Sequence, residues 1–511
     1  MKKAEMEKGG AVGLSPVWLI AIAGVLLPAV CGLVFFWPDR TIANVDDLFF
    51  VPWAMEFASS GRHWNSLLAV QFPGLESYHL QPRLHLIFAG WFFAAAGTGT
   101  ATLVLFEFGC YALTSLLFVL LCLRLNLRFA ALFTSLIFAP MYVVAGFRLE
   151  LSGALIWLLG LLVFLPLLVR SVPEDRHTAY RVTANGIVAK ALLGIAPLAA
   201  PALFAWSLGA IAVLDIWRLV SRRAGAVTIL LEGGAALAVA MAVFAVSIDF
   251  EFSEFLRQFT YHASRSTGGG VNGEAIVRAV LYAAAAAFLF RRSRLVSAVC
   301  LSLAAGQFLA AFLHDKALVR NIAAAMVFLI VVDTALPQRG NRVKAAVFAA
   351  LFLVLSANFF SFYLFSEDAG NRDAVIAAYR QDLADGRRVF IDETMTQHFL
   401  DQQTGGALSW TWGGTFPKGR PTSMADLGEG DVWYVSNYTL QGYLRGRHDV
   451  AEKALAGSDY RHVPQIPCVL GRQSCNLPEK RWSMLRLERQ AGVVTAQAVG
   501  DETVPRPLVS D

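Results

Sequence analysis

The chain has 511 residues, 56% of them apolar and only 16% charged, with a formal net charge of +5. Soluble domains average about 45–50% apolar and about 25% charged, so an ordinary water-soluble protein is excluded. The basic residues sit in loops between apolar runs and form no stripe with stacking aromatics, which excludes nucleic acid and leaves the lipid bilayer as partner.

Lys2, Lys3 and Lys8 precede an apolar run over 17–36 that ends in Trp37-Pro38-Asp39. A secretory signal has a shorter apolar region and a small-residue cleavage site. The pattern therefore predicts an uncleaved first span with its amino end in the cytoplasm. Further spans are predicted over 101–122, 129–147, 151–169, 186–199, 202–217, 226–247, 275–290, 296–313, 317–336 and 343–365. Such runs approach the roughly 20 apolar residues that cross about 30 Å of hydrocarbon. Pro197 and Pro201 leave 186–217 open, as two short helices around a turn or one kinked helix.

Arg and Lys cluster in alternate loops: Arg124 and Arg128; Arg170, Arg176 and Arg181; Arg218, Arg222 and Arg223; Arg291, Arg292 and Arg294; Arg339, Arg342 and Lys344. Cation-rich short loops stay in the cytoplasm. For that alternation to hold, 80–97 must not cross and must return as a juxtamembrane or re-entrant helix. The expectation is an α-helical polytopic membrane protein of about eleven spans over 1–365. Its first outer loop covers about 38–100, and Arg148-Leu149-Glu150, the 248–274 loop and His314-Asp315-Lys316 lie on the same side.

Beyond Phe365 charged residues, Gly and Pro return to ordinary density. Strand-like runs at 388–391 and 432–435 alternate with helix-like runs at 373–383 and 438–444, which predicts an α/β domain over 366–511 on the periplasmic side. Cys468 and Cys475 lie close together there, and an oxidising compartment would let them pair as a disulfide. The alternative is two free thiols. Cys31, Cys110, Cys122 and Cys300 fall in or beside spans as packing residues.

The first outer loop concentrates the chemistry. The acidic pair Asp46-Asp47 opens an amphipathic run of Leu48, Phe49, Val51, Trp53, Met55 and Phe57, and His79, Gln81, Arg83 and His85 stand at the foot of the next apolar run. In this order the chain resembles the GT-C superfamily of membrane glycosyltransferases, especially bacterial aminoarabinose and mannosyl transferases that use polyprenyl-phosphate-linked sugars. Asp46-Asp47 matches that family's acidic pair, and Ala54 to Gly61 the helix after it. Glu150 in Gly146-Phe147-Arg148-Leu149-Glu150 stands where many relatives have Asp. Gln81-Pro82-Arg83 matches a Pro-containing stretch in which relatives often carry Lys before the Pro; here the cation is displaced to Arg83. Lys316 and Arg320 match a Lys-x-x-x-Arg at the outer start of a late span.

The resemblance implies an inverting transferase that moves a sugar from a polyprenyl-phosphate donor to a hydroxyl of a lipid, glycan or protein acceptor. It implies the periplasmic face of the inner membrane and a product in the cell-envelope glycan. The chemistry fits independently. The phosphate leaves as a stable anion and needs little acid catalysis, whereas the acceptor hydroxyl needs a base, unlike the acid-and-base pair of a glycoside hydrolase. Asp46 is the expected base, with Asp47 or Glu150 orienting the acceptor or holding a divalent cation. No Asp-x-Asp spacing or His cluster requires a metal, and no cofactor motif is seen. A cation among Arg83, Lys316 and Arg320 would hold the donor phosphate. The plainer reading is that Asp46 and Asp47 cap the following helix, with Pro52 in its first turn, that Glu150 pairs with Arg148, and that Lys316 and Arg320 anchor to lipid headgroups.

In the 248–274 loop, Phe252, Phe255, Leu256 and Phe259 recur at helical spacing before Gly268-Gly269-Gly270. This predicts an outer-side helix followed by a flexible loop, with Tyr261, His262 and Arg265 between them; with His79 they are candidates to bind or gate the sugar phosphate, the alternative being a helix that packs at the interface. Glu107 and Glu232 are isolated charges inside spans and stand outside the predicted site. Trp410, Trp412 and Trp433 could stack on sugars or fill a core. Competing readings are a lipid-linked glycan flippase, for which inverted repeats are not evident, an O-antigen ligase or polymerase, whose outer loop comes late in the chain, and a membrane scaffold.

Overall fold

The computed structural model describes residues 47–63, 79, 83–131, 134, 149–169, 182–265, 271–313, 317–336, 342–347, 349–350, 377–378, 380–392, 408–410, 428–436, 484–490 and 493–499. The predicted span 17–36, and most of 129–147 and of 343–365, lie outside this set.

Helix α1 (Asp47–Ser60) is followed by α2 (Arg83–Ala96) and α3 (Thr100–Arg124). At 14 residues α2 is about 21 Å long, too short for about 30 Å of hydrocarbon, as the loop-charge alternation requires. It stops at Gly97, whose φ of 89° is the left-handed closure favoured at a helix end, and α3 starts three residues later. Next come α4 (Leu149–Val169), α5 (Ala184–Ala199), a 3₁₀ turn (Pro201–Leu203), α6 (Phe204–Val220) and α7 (Ala226–Ser247). Then follow α8 (Phe252–Arg265), α9 (Gly273–Phe290), α10 (Arg294–Ala310) and α11 (Ala317–Ala335). Side-chain caps start three of these: Thr183 accepts from the Gly186 amide, Asn272 from Ala275 and Ser293 from Val296.

The ambiguity over 186–217 resolves into two helices. Pro197 stays inside α5, while Ala200 adopts φ −150° and ψ 102° immediately before Pro201. The residue before proline is sterically pushed out of the helical region, and the chain turns there.

Among the described residues five helices are long and apolar enough to cross a membrane: α3, α4, the stretch Pro201–Val220, α7 and α9. The protein is a helical membrane protein. Its main core joins α3, α4, α5, α6, α9, α10 and α11, and a second core joins α1, α2 and the start of α3 through Phe50, Trp53, Leu86, Phe93 and Phe106. Helices α6 and α10 cross at bare backbone. A Cβ on Gly209 would lie 2.4 Å from the Gly306 nitrogen, and one on Gly306 would lie 2.9 Å from the Trp206 Cα. With little hydrophobic drive between helices in lipid, this close van der Waals approach is what small residues provide.

Strands β1 (Val389–Asp392), β2 (Leu408–Trp410), β3 (Val432–Ser436), β4 (Met484–Gln490) and β5 (Val493–Val499) form one sheet in the order β2-β1-β3-β4-β5. The β1 pairings are parallel; β3–β4 and β4–β5 are antiparallel. Arg486 ties β4 to the helical segment before β1 by a bidentate bond to Asp382 at 2.7 and 2.8 Å. Strands β2, β4 and β5 were not anticipated from the sequence.

Candidate functional site

The C-terminal end of α7 closes on an unusual turn. Asp249 and Phe250 both take left-handed backbone conformations, φ 48° and 61°, and α8 begins two residues later. The turn is fixed by the Phe250 amide donating to the Ala245 carbonyl at 2.9 Å and the Glu251 amide to Ile248 at 2.8 Å. Left-handed backbone costs a residue with a side chain about 1–2 kcal/mol, and a bulky aromatic tolerates it worse than Asp does. Such outliers persist where their surroundings demand them. Here the demand is visible: the turn aims two carboxylates at the first loop.

Asp249 Oδ2 lies 2.9 Å from His63 Nε2, and Glu251 Oε2 meets His79 Nε2. The His79 amide also donates to Gln258 Oε1 at 2.5 Å, and Arg83 Nη1 donates to the Ser247 carbonyl at 2.5 Å. The His63 ring packs against the stacked pair Trp53 and Phe57, with centroids 5.0 and 5.3 Å away, and is 6.1 Å from His79. His63, His79 and Arg83 are buried, whereas the Asp249 and Glu251 side chains are 61% and 48% exposed. A buried basic floor thus lies beneath an acidic lip open to solvent.

Burial, then the Arg83 charge, push His63 down from 6.5 to about 4, against the opposing pull of Glu251. Burial also lowers Arg83 to about 9, against Asp249 and Glu251, and leaves it cationic at neutral pH. His63 is therefore a neutral imidazole whose Nε2–H donates to Asp249, and its Nδ1 has no hydrogen-bond partner among the described residues. An imidazole held in one tautomer by a carboxylate is a group that can accept or relay a proton.

Of the predicted site residues, His79 and Arg83 enter this cluster. Asp47 is the first residue of α1, whereas the Asp47 side chain and all of Asp46 lie outside the described residues. Pro52 falls in the second turn of that helix rather than the first. Glu150 is buried in the first turn of α4, and Arg320 is half-buried in the first turn of α11. Tyr261, His262 and Arg265 occupy the last turns of α8, their side chains outside the described residues, as are Lys316, Gly268–Gly270, Cys468 and Cys475. His85 packs inside α2, its Nδ1 2.8 Å from Ser152 Oγ. Sequence reasoning missed His63, Asp249 and Glu251 as partners. The only available signal was acid alternating with aromatic in Asp249-Phe250-Glu251-Phe252, directly after a span.

A second polar cluster sits toward the other end of α7. Lys190 Nζ lies 2.8 Å from Asp215 Oδ2 and 3.5 Å from Glu232 Oε2, and Arg218 Nη1 lies 2.6 Å from Glu232 Oε2. Thr183 Oγ1 donates to Glu232 Oε1 at 2.8 Å. Two cations and two anions compensate one another, and Glu232 clamps α5, α6 and α7 together.

Among the described residues no group of three His, Cys, Asp or Glu is placed to hold a metal ion. No protein-family model matches the chain, and no curated protein matches it in sequence.

Proposed function

We propose that this protein is an integral membrane glycosyltransferase of the GT-C kind, inverting the anomeric centre as it moves a sugar from a polyprenyl-phosphate donor to an acceptor hydroxyl. The supporting observation is that α1, headed by Asp47, packs on the non-spanning α2, and the two carry His63 and Arg83 into one polar cluster beside an acidic, solvent-open lip. A buried cationic cluster under an exposed acidic lip, beside the apolar contacts of α1 and α2, suits a substrate that is half lipid and half sugar phosphate.

In this reading Asp46 takes the proton of the acceptor hydroxyl. The acceptor oxygen attacks the anomeric carbon opposite the phosphate, the carbon–oxygen bond to phosphate breaks, and polyprenyl phosphate departs with the bonding pair. Arg83, Lys316 or Arg320 neutralises it. Asp47 or Glu150 orients the acceptor, and a divalent cation at these carboxylates is compatible with the scheme. Eleven spans, a cytoplasmic amino end, a periplasmic α/β region over 366–511 and a Cys468–Cys475 disulfide complete the proposal. The site is the inner membrane's periplasmic face.

The test is sugar transfer from polyprenyl-phosphate donors in proteoliposomes. Asp46→Asn should lower turnover by about 10²–10⁴-fold, the contribution of a general base, with an unchanged thermal melt. Full activity in that variant, or no transfer by wild type from any polyprenyl-phosphate sugar, overturns the reading.

A further inference from the structure

Helix α8 divides its surface three ways. One face meets the first loop: Gln258, with Glu251 just before the helix, holds His79, and Glu254 accepts from Gln258. Ser253, Arg257 and Thr260 are exposed polar groups, Arg257 paired with Glu254 at 2.8 Å. The third face is apolar and bare: Phe252, Leu256 and Phe259, at spacings of four and three residues, are 45%, 61% and 54% exposed.

That bare face is continuous with others. Phe244 of α7 meets Phe252 and Phe255 edge-on at 6.1 and 4.9 Å, and Phe255 stacks on Phe259 at 6.0 Å. Val246 at the end of α7 and Phe250 in the left-handed turn are 62% and 66% exposed between them. Helices α7 and α9, which α8 connects, are the two least buried of the five apolar helices and expose Leu231, Leu237, Met241, Val277, Val280 and Leu281. Their outward sides are the lipid-facing surface of the bundle, and the apolar face of α8 prolongs it around the corner.

We propose that α8 is a membrane-surface helix, its Phe252-Leu256-Phe259 face seated in the leaflet where α7 ends and α9 begins. Its occupant is the bilayer, not a protein partner. A helix with one apolar face, a charged flank and low mean hydropathy lies in the interface plane with that face about 5–10 Å into the headgroup–acyl boundary. The opposite face grips His79, so the leaflet sets the height of the histidine–carboxylate cluster. The inference rests on reading α7 and α9 as spans and does not depend on the chemistry of transfer.

The experiment places a fluorescent amino acid by codon suppression at 231, 256, 259 or 260 of the full-length protein in nanodiscs. Ordinary and brominated phosphatidylcholine are compared, with iodide as the aqueous quencher. Positions 256 and 259 should lose roughly half or more of their emission to brominated lipid and resist iodide, as a shallow insertion implies, while 260 does the reverse. Strong quenching at 231 but not at 256 and 259 sinks the α8 proposal alone; no quenching at 231 sinks the membrane reading itself. Shielding of 256 and 259 from both quenchers would mean that a protein covers the face, and also overturns it. Wild-type protein labelled by a lipid-dissolved carbene reagent and mapped by peptide mass gives an independent reading. Adducts on residues 250–259 are expected, and their absence alongside labelled α7 refutes the placement.

Discussion

His63 carries a proton-linked contribution whose sign can be worked out. The unfolded chain protonates this imidazole near pH 6.5, the folded chain only near 4. Between those values the unfolded state binds more protons, so the folded state loses stability as pH falls through that window. Melting curves from pH 7.5 to 4.5 should therefore show a decline in wild type that is smaller in His63→Gln. Because Arg83 adds to the downward push on His63, Arg83→Gln should bring the folded-state value back toward 6.5, so that the decline still begins near pH 6.5 but is smaller and levels off at higher pH; an unchanged profile would break the link between the two. At the other cluster, Glu232→Ala leaves Lys190 and Arg218 with one carboxylate between them. Removing one partner of a buried pair costs about 3–5 kcal/mol, so denaturant unfolding should show a loss of that order. Of these residues Arg83 and Glu232 stood out in the sequence, Arg83 as a cation at the foot of an apolar run and Glu232 as a lone charge within one. The His63–Asp249 contact was illegible because sequence spacing carries no information about which distant loop a histidine faces. The left-handed Asp249-Phe250 turn was hidden too, having neither Gly nor Asn to announce it.

At the scale of elements, apolar periodicity and punctuation were good guides. Nine of the described helices fall where apolar runs or the loop-charge alternation required them, and Pro201 breaks the chain by the ordinary pre-proline rule. Strands were harder. Met484–Gln490 alternates Leu485 and Leu487 with Arg486 and Glu488, a period-two signal, but charges on one side masked it beside the stronger runs at 389–392 and 432–436. The α6–α10 crossing makes a sharper prediction. Backbone meets backbone at Gly209 and Gly306, so neither has room for a side chain. Gly209→Val should force the helices apart and cost at least the roughly 1–3 kcal/mol of ordinary overpacking, visible as a lower melting temperature, whereas Gly233→Val, with open space around it, should not. Equal melting of the two variants would show that the crossing tolerates separation.

Across the whole molecule, α7 acts as a ruler. Its 22 residues span about 33 Å, the thickness of a bilayer core, with the Glu232 cluster toward one end and the Asp249 turn just beyond the other. Arg222→Cys and Asp249→Cys should accordingly react with impermeant thiol reagents from opposite faces of sealed vesicles. Labelling of both from one face would show that α7 does not cross.

The four groups around Glu232 add up to zero charge. A transmembrane voltage does work of about 2.3 kcal/mol per elementary charge for each 100 mV crossed, and on a neutral quartet its pulls cancel. That quartet thus offers a membrane voltage no net charge to move, in an energised cell or in a de-energised vesicle.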